Sequence, residues 1–227
     1  MNLNVERILI IGLGMIGASI ALASRSKGIK VTGYDIDSNS VKNAFQNQII
    51  DDEASSIEQI NSKEYTKDID LIILAIPPKQ TLDVLNSLQE VWNTDTTITE
   101  TSSVKNHIKI EDVSNIVLSH PIAGSDQSGL FAADENLFKN KKNVLCNPFN
   151  SDKDHYDKVE NFWSNALQMK TALMTVSEHD LIFAMTSHLP HLISYALIDS
   201  IRLSNNDVGD NAGGGIKEFL RLSGSNP

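Results

Sequence analysis

Apolar residues in this chain come in short bursts separated by polar, helix-prone stretches. Val5 to Ile11, Lys30 to Tyr34, Asp70 to Ile76, Thr96 to Glu100, Asn115 to Ser119 and Lys142 to Cys146 span five to seven residues each. Runs of that length bounded by turn residues read as buried strands. Ala18 to Ala23, Ser38 to Asn47 and Lys79 to Val91 lie between them and read as helices. Ser38 offers an N-cap for the second, and Pro77-Pro78 separates a strand from the third. Such alternation predicts an α/β domain with a mostly parallel sheet over residues 1–150. From about Ser151 the pattern changes: Asp152 to Leu167 is helical, Lys170 to Thr175 admits one more strand, and Ser177 to Leu203 is a long apolar helix. Ser177-x-x-Asp180 is a plausible capping start for that helix, and Pro190 should kink it. Residues 151–227 therefore read as a second, all-helical domain.

Composition narrows the class. Hydrophobic residues make up 41% and charged residues 21% of 227, as in a globular protein. A single cysteine, Cys146, excludes an internal disulfide and fits a reducing cytoplasm; its flanks place it at the end of a buried strand, as a packed thiol. Met1 to Glu6 has neither a basic start nor an apolar core, so no signal peptide is expected. No apolar run approaches the roughly 20 residues that span a bilayer, so no membrane association is expected. The formal net charge of −10 argues against nucleic acid and anionic membranes as partners. An anionic substrate must then meet a local basic exception.

The first strand breaks into Gly12-x-Gly14-x-x-Gly17 and continues as a helix. Gly12 permits the tight turn, Gly14 lets backbone approach a pyrophosphate, and Gly17 allows close helix–strand packing. The N–H groups of the first helical turn, around Met15 and Ile16, would face the anion. Asp35 ends the second strand 18 residues beyond Gly17, where an acid accepts hydrogen bonds from the adenine ribose. A 2′-phosphate would be repelled there, which favours NAD over NADP. Doubly wound sheets of this Rossmann type collect ligands at the carboxyl ends of their strands, where Pro77 and Ser102 also fall.

Four further segments carry polar chemistry: Glu100 to Lys105, His120 to Gly129, Ser187 to His191, and Gly213 to Arg221. Singly, each has an ordinary reading as strand-end or helix-surface residues. His188 and His191, at i and i+3, also admit a metal pair, but no carboxylate or cysteine cluster supports one, so no metal is expected.

In this order behind a Rossmann unit, the segments HPIAGSDQSG and SHLPH make the chain resemble the prephenate dehydrogenase family, the prephenate, arogenate or cyclohexadienyl dehydrogenases of tyrosine biosynthesis. The resemblance runs from Ile8 to Pro227. It implies NAD-dependent oxidative decarboxylation of prephenate to 4-hydroxyphenylpyruvate, or of arogenate to tyrosine. By that resemblance His120 accepts the proton of the ring hydroxyl, and Ser103 orients that hydroxyl and the nicotinamide. Lys105 matches the lysine of the same motif. Ser125 and Asp126 order the substrate loop, His188 and His191 line the cavity, Arg221 grips a carboxylate, and Lys217 is a second cation one turn before it. Glu100 stands where the family has aspartate, Ser102 where it has glycine, and Leu220 where threonine is common. Family members continue for several helices beyond the position of Pro227, so the resemblance implies a truncated helical domain, and a homodimer where those helices are present. Two alternatives stay open from the residues: a 3-hydroxyacid-type dehydrogenase, or an NAD-binding regulatory module without catalysis.

Overall fold

A computed structural model describes residues 5–124, 127–204 and 216. The chain runs β1 (Arg7–Ile11), α1 (Met15–Arg25), β2 (Lys30–Tyr34), α2 (Ser38–Gln46), β3 (Asp52–Glu53), α3 (Ile57–Ile60), α4 (Lys63–Thr66), β4 (Leu71–Leu74) and α5 (Pro78–Asn86). It continues through β5 (Thr97–Glu100), β6 (Ile116–Pro121), β7 (Lys142–Cys146), α6 (Lys153–Asn161), β8 (Lys170–Leu173), α7 (Val176–Phe183) and α8 (Leu189–Leu203). The eight strands form one sheet in the order β3-β2-β1-β4-β5-β6-β7-β8. All neighbours are parallel except β6 and β7, where His120 lies opposite Val144.

Strands buried on both faces need continuous apolar sequence, and β1 and β4 supply it. One face packs Ile8, Ile10, Leu71 and Ile73 against Ala18 and Ile20 of α1 and Phe162 and Trp163 beyond α6. On the other face Leu9, Ile11, Ile72 and Leu74 meet Ile60, Leu85 and Leu88. Three layers result, with the expected doubly wound sheet in the middle.

Several local expectations change. Asp37, not Ser38, caps α2, its carboxylate accepting from Asn39 N–H at 3.1 Å. The third helix stops at Asn86, and Gln89–Val91 form a separate tight 3₁₀ turn. His120 and Pro121 extend β6 beyond the expected Asn115 to Ser119, because β7 pairs with them. The start of α7 is a capping box of Thr175 and Glu178. Asp180 cannot serve there because its carboxylate takes the N–H groups of Lys105 and Asn106 instead. At Pro190, where a kink is expected, the structure has a wide turn over Ala184–His188 just before it, and the run continues to Leu203. Such widened turns accommodate a residue that lacks an N–H and crowds the preceding turn.

The domain division after residue 150 falls inside the layered sheet. Residues of α6 pack on it, and β8 pairs parallel to β7 from Lys142↔Lys170 to Leu145↔Leu173. We place the division at Met174–Thr175 instead. The expectation that no apolar run reaches membrane-spanning length also needs correction. Val176–Leu203 is a 28-residue helical run whose most apolar window has a mean hydropathy of 1.4 and is 11% buried. It coincides with the long apolar helix expected from Ser177 to Leu203, in which Ser187, His188 and His191 are interspersed among the apolar residues. Leu181, Met185, Leu189, Leu192 and Ile193 are exposed along it.

Candidate active site

Because β1, β4, β5 and β6 are parallel, they all end on one edge of the sheet. The glycine turn, the Pro77 turn, the loop carrying Ser102 and Ser103, and His120 all leave that edge. Strand order reverses between β1 and β4, the crevice where open α/β sheets take ligands.

The glycine turn has the geometry its spacing requires. Gly12 sits at φ 97°, and a Cβ there would stand 2.4 Å from the Ala75 carbonyl oxygen. At Gly17 a Cβ would lie 1.9 Å from the Gly12 carbonyl oxygen. At Gly14 it would meet nothing within 4 Å. Gly12 and Gly17 are therefore glycine for the protein's own packing, whereas Gly14 faces open space in front of α1. No side chain caps α1, so the N–H groups of its first turn, beginning at half-buried Met15 and Ile16, point to that space. These features fit a dinucleotide pyrophosphate. The Asp35 carboxylate holds the turn in place, accepting Leu13 N–H at 2.7 Å and Asp37 N–H at 2.9 Å. A carboxylate has lone pairs beyond those two contacts. Pro77 lies in extended conformation directly before α5, and His107 Nε2 lies 2.9 Å from the Pro78 carbonyl, tying the loop after β5 to that turn.

Beneath this edge lies a buried ion pair. The ammonium of Lys105 contacts Glu100 and the carbonyl of Ser119, and neither charged side chain is exposed. Burial pulls the Lys105 ammonium below the ordinary lysine range, and Glu100 opposes that pull. Ser102, expected at the cofactor, is turned inward: its N–H and hydroxyl both donate to Glu100, and the hydroxyl also reaches the Val104 carbonyl. Its side chain thus orders the Glu100–Lys105 pair, and its backbone is not among the positive-φ positions. Ser103 is half-buried in the same loop and bonds to no other described residue.

His120 closes the site from β6. Its Nδ1 is 2.9 Å from His179 Nε2, and His179 Nδ1 is 2.8 Å from Asp180 Oδ1. Burial, then the Lys105 charge and the neighbouring His179 and His188, push the His120 imidazole down to about 3. His120 is therefore neutral throughout the physiological range. His188 ends the wide helical turn and is close enough to oppose a charge on His120. His191 lies further along α8, its Nδ1 2.7 Å from the Ser187 carbonyl. Cys146 is buried and its thiol is pushed up to about 11 by burial, as expected of a packed thiol. Ser125, Asp126, Lys217 and Arg221 lie outside the described residues. Among the described residues no group of three or more His, Cys, Asp or Glu side chains could hold a metal ion.

Sequence reading missed His179 and treated Asp180 only as a helix-capping residue. The His-Asp dipeptide at the fourth and fifth residues of α7 was the available signal, but its partners lie 59 and 75 residues away.

Residues 20–169 match the family model described as prephenate dehydrogenase, nucleotide-binding domain, and residues 175–227 the one described as prephenate dehydrogenase, dimerization domain. The chain belongs to the prephenate dehydrogenase family. The gap between the two matches, residues 170–174, contains β8 and the residue after it. Prephenate dehydrogenase of Bacillus subtilis (strain 168) is 32% identical over 241 residues, a match covering 100% of this chain and 63% of that protein. This chain therefore spans less than two thirds of that relative's length. Among solved structures, prephenate dehydrogenase from A. aeolicus in complex with hydroxyphenyl propionate and NAD⁺ is 30% identical with a TM-score of 0.87, over 100% of this chain and 81% of that one. Synechocystis arogenate dehydrogenase is 28% identical with a TM-score of 0.77, over 97% and 80%. The match to the family's dimerization-domain model covers the exposed apolar run of α7 and α8.

Proposed function

We propose that this chain carries the active site of an NAD-dependent prephenate dehydrogenase of the cytoplasm, with arogenate as the alternative substrate of the same site. The observation that carries this is a neutral, buried imidazole, His120, on the same sheet edge as an uncapped glycine turn. Gly12, Gly14, Met15, Ile16 and Gly17 would hold NAD, with Asp35 toward its ribose and Pro77 toward its nicotinamide half, and the bound cofactor would supply a hydride acceptor. His120 takes the hydroxyl proton as hydride leaves the carbon bearing it, so a ring carbonyl forms. The ring carboxylate departs as carbon dioxide, its electron pair makes the ring aromatic, and the ring oxygen takes the proton back from His120. Ser103 orients the hydroxyl, and His188 and His191 line the cavity. Ser125, Asp126, Lys217 and Arg221 complete the substrate site in this reading, with Arg221 offering a two-pronged donor to a carboxylate. The exposed apolar residues of α7 and α8 form a homodimer surface.

The test follows reduced-nicotinamide absorbance when purified protein is mixed with NAD and prephenate. Growth of the band dependent on both is expected. Growth with a 3-hydroxyacid instead would favour the other dehydrogenase reading, and NAD binding without turnover on any acid would leave a binding module.

A further inference from the structure

His179 lies on α7, at the start of the second unit, yet its ring meets His120 at the end of β6. Two neutral imidazoles in contact share one N–H, so one ring donates and the other accepts. The far end of the chain of contacts decides which. Asp180 accepts the N–H groups of Lys105 at 3.0 Å and Asn106 at 2.8 Å. Burial works against that carboxylate, but its contacts with His179, Asn106 and Lys105 overcome this and keep it ionised, below the usual aspartate range. An ionised carboxylate only accepts. His179 must then donate to it through Nδ1, which leaves His179 Nε2 as an acceptor. His120 must in turn donate through its own Nδ1, and its Nε2 keeps a free lone pair.

Packing holds this arrangement. The two imidazole rings cross at 61° with centroids 5.1 Å apart, and Phe183 lies 4.7 Å from each. His179 is wholly buried. A doubly protonated His179 would leave no acceptor for His120; burial, first, and the Lys105 ammonium disfavour that form and outweigh the Asp180 and Glu100 carboxylates, which favour it. The other titratable groups acting on this pair are Glu100, Lys105 and His188.

We propose that His179 and Asp180 are positioning residues that hold His120 as its Nδ1–H tautomer and present Nε2 as the proton acceptor. The proposal rests on the reading of His120 as the base. Asp180 also grips the loop that carries Ser103, so one carboxylate aligns both the hydroxyl-orienting loop and the imidazole. Neither residue touches a reacting atom.

The decisive measurement is ¹⁵N NMR of the 227-residue chain with labelled histidine, His120 being assigned by the signal lost in His120→Asn. An Nδ1–H, Nε2-unprotonated pattern is expected, and an Nε2–H pattern overturns the proposal. In His179→Leu the expected outcome is a kcat on prephenate lower by about 10²-fold, with KM values for prephenate and NAD within about threefold, and a loss of the single tautomer. His179→Gln, whose side-chain oxygen can accept the same N–H, should recover at least about tenfold of that loss. Unchanged kcat in folded His179→Leu also overturns the proposal. Where His179→Leu does not fold, the wild-type tautomer decides. A wild-type chain that binds NAD but never turns over prephenate removes the base reading, whereas the tautomer pattern is read without any turnover.

Discussion

A free imidazole is half-protonated near pH 6.5, whereas burial and the Lys105 charge push His120 down to about 3. A base of this kind is weak in the ground state but always available, and it typically contributes roughly 10²–10⁴ in rate. His120→Asn should therefore lower kcat on prephenate by about that factor while leaving the NAD dissociation constant within about threefold. Initial rates and a fluorescence titration of NAD check the two halves separately, and surviving turnover would remove His120 from the chemistry. The same shift bears on stability. Between pH 3 and 6.5 the unfolded chain binds a proton at His120 that the folded chain does not. This contribution is fully present above pH 6.5 and is lost as pH falls from there toward 3. Going from pH 7 to pH 5 should cost about 2 kcal/mol through this residue. Urea unfolding at both pH values should show a correspondingly smaller loss in His120→Asn, and an identical pH dependence in the two proteins would contradict the assignment.

The turn between β1 and α1 separates packing from binding at the level of one element. A methyl group at Gly17 collides with the Gly12 carbonyl, and one at Gly14 meets only open space. Gly14→Ala should keep the melting temperature within about 2 °C yet weaken NAD binding by at least about tenfold, because the added methyl occupies the phosphate approach. Gly17→Ala should instead lower the melting temperature, since the turn itself must move. Equal effects on both would mean that the space before α1 holds no phosphate. The loop after β5 carries the other device. Removing one partner of a fully buried ion pair leaves the other charge uncompensated, at about 3–5 kcal/mol. Lys105→Met should show a loss of that size in denaturant unfolding. Replacing Glu100 by Leu as well should recover part of it, because an uncharged pair leaves no isolated charge.

At the scale of the molecule, the run from α7 to α8 stands apart from the layered sheet. Its leucines at 181, 189 and 192 and Met185 are exposed, an apolar surface of the kind that marks an interface. A chain with this surface should associate as concentration rises, and Leu181→Asp with Leu192→Asp should return it to a monomer in sedimentation velocity. Continued association of that double variant would place the interface elsewhere. Contacts between this run and the sheet edge are few but chemically dense. Asp180 alone holds Lys105 and Asn106 N–H and His179, so α7 and the loop after β5 are positioned together.

The sequence by itself determined the glycine turn, the layered arrangement and every described strand except the two-residue edge strand β3, whose Asp52 and Glu53 carry no apolar run. Those depend on apolar runs and on residues a few positions apart, such as Gly12 and Gly17, whose contacts close within one turn. It also marked His120, through the segment that follows it. Caps were less legible: Asp37 and Thr175 took the positions expected of Ser38 and Ser177 because a cap depends on one dihedral angle at the helix start. Only the tertiary structure decided what surrounds His120. The antiparallel pairing of β6 with β7 draws it into the sheet, and α7 returns across the chain to set His179 and Asp180 against it. No local rule spans those 59 residues, since the contact exists only once the sheet order has been built. The residue type told which group can take a proton; its buried partners decide which nitrogen takes it.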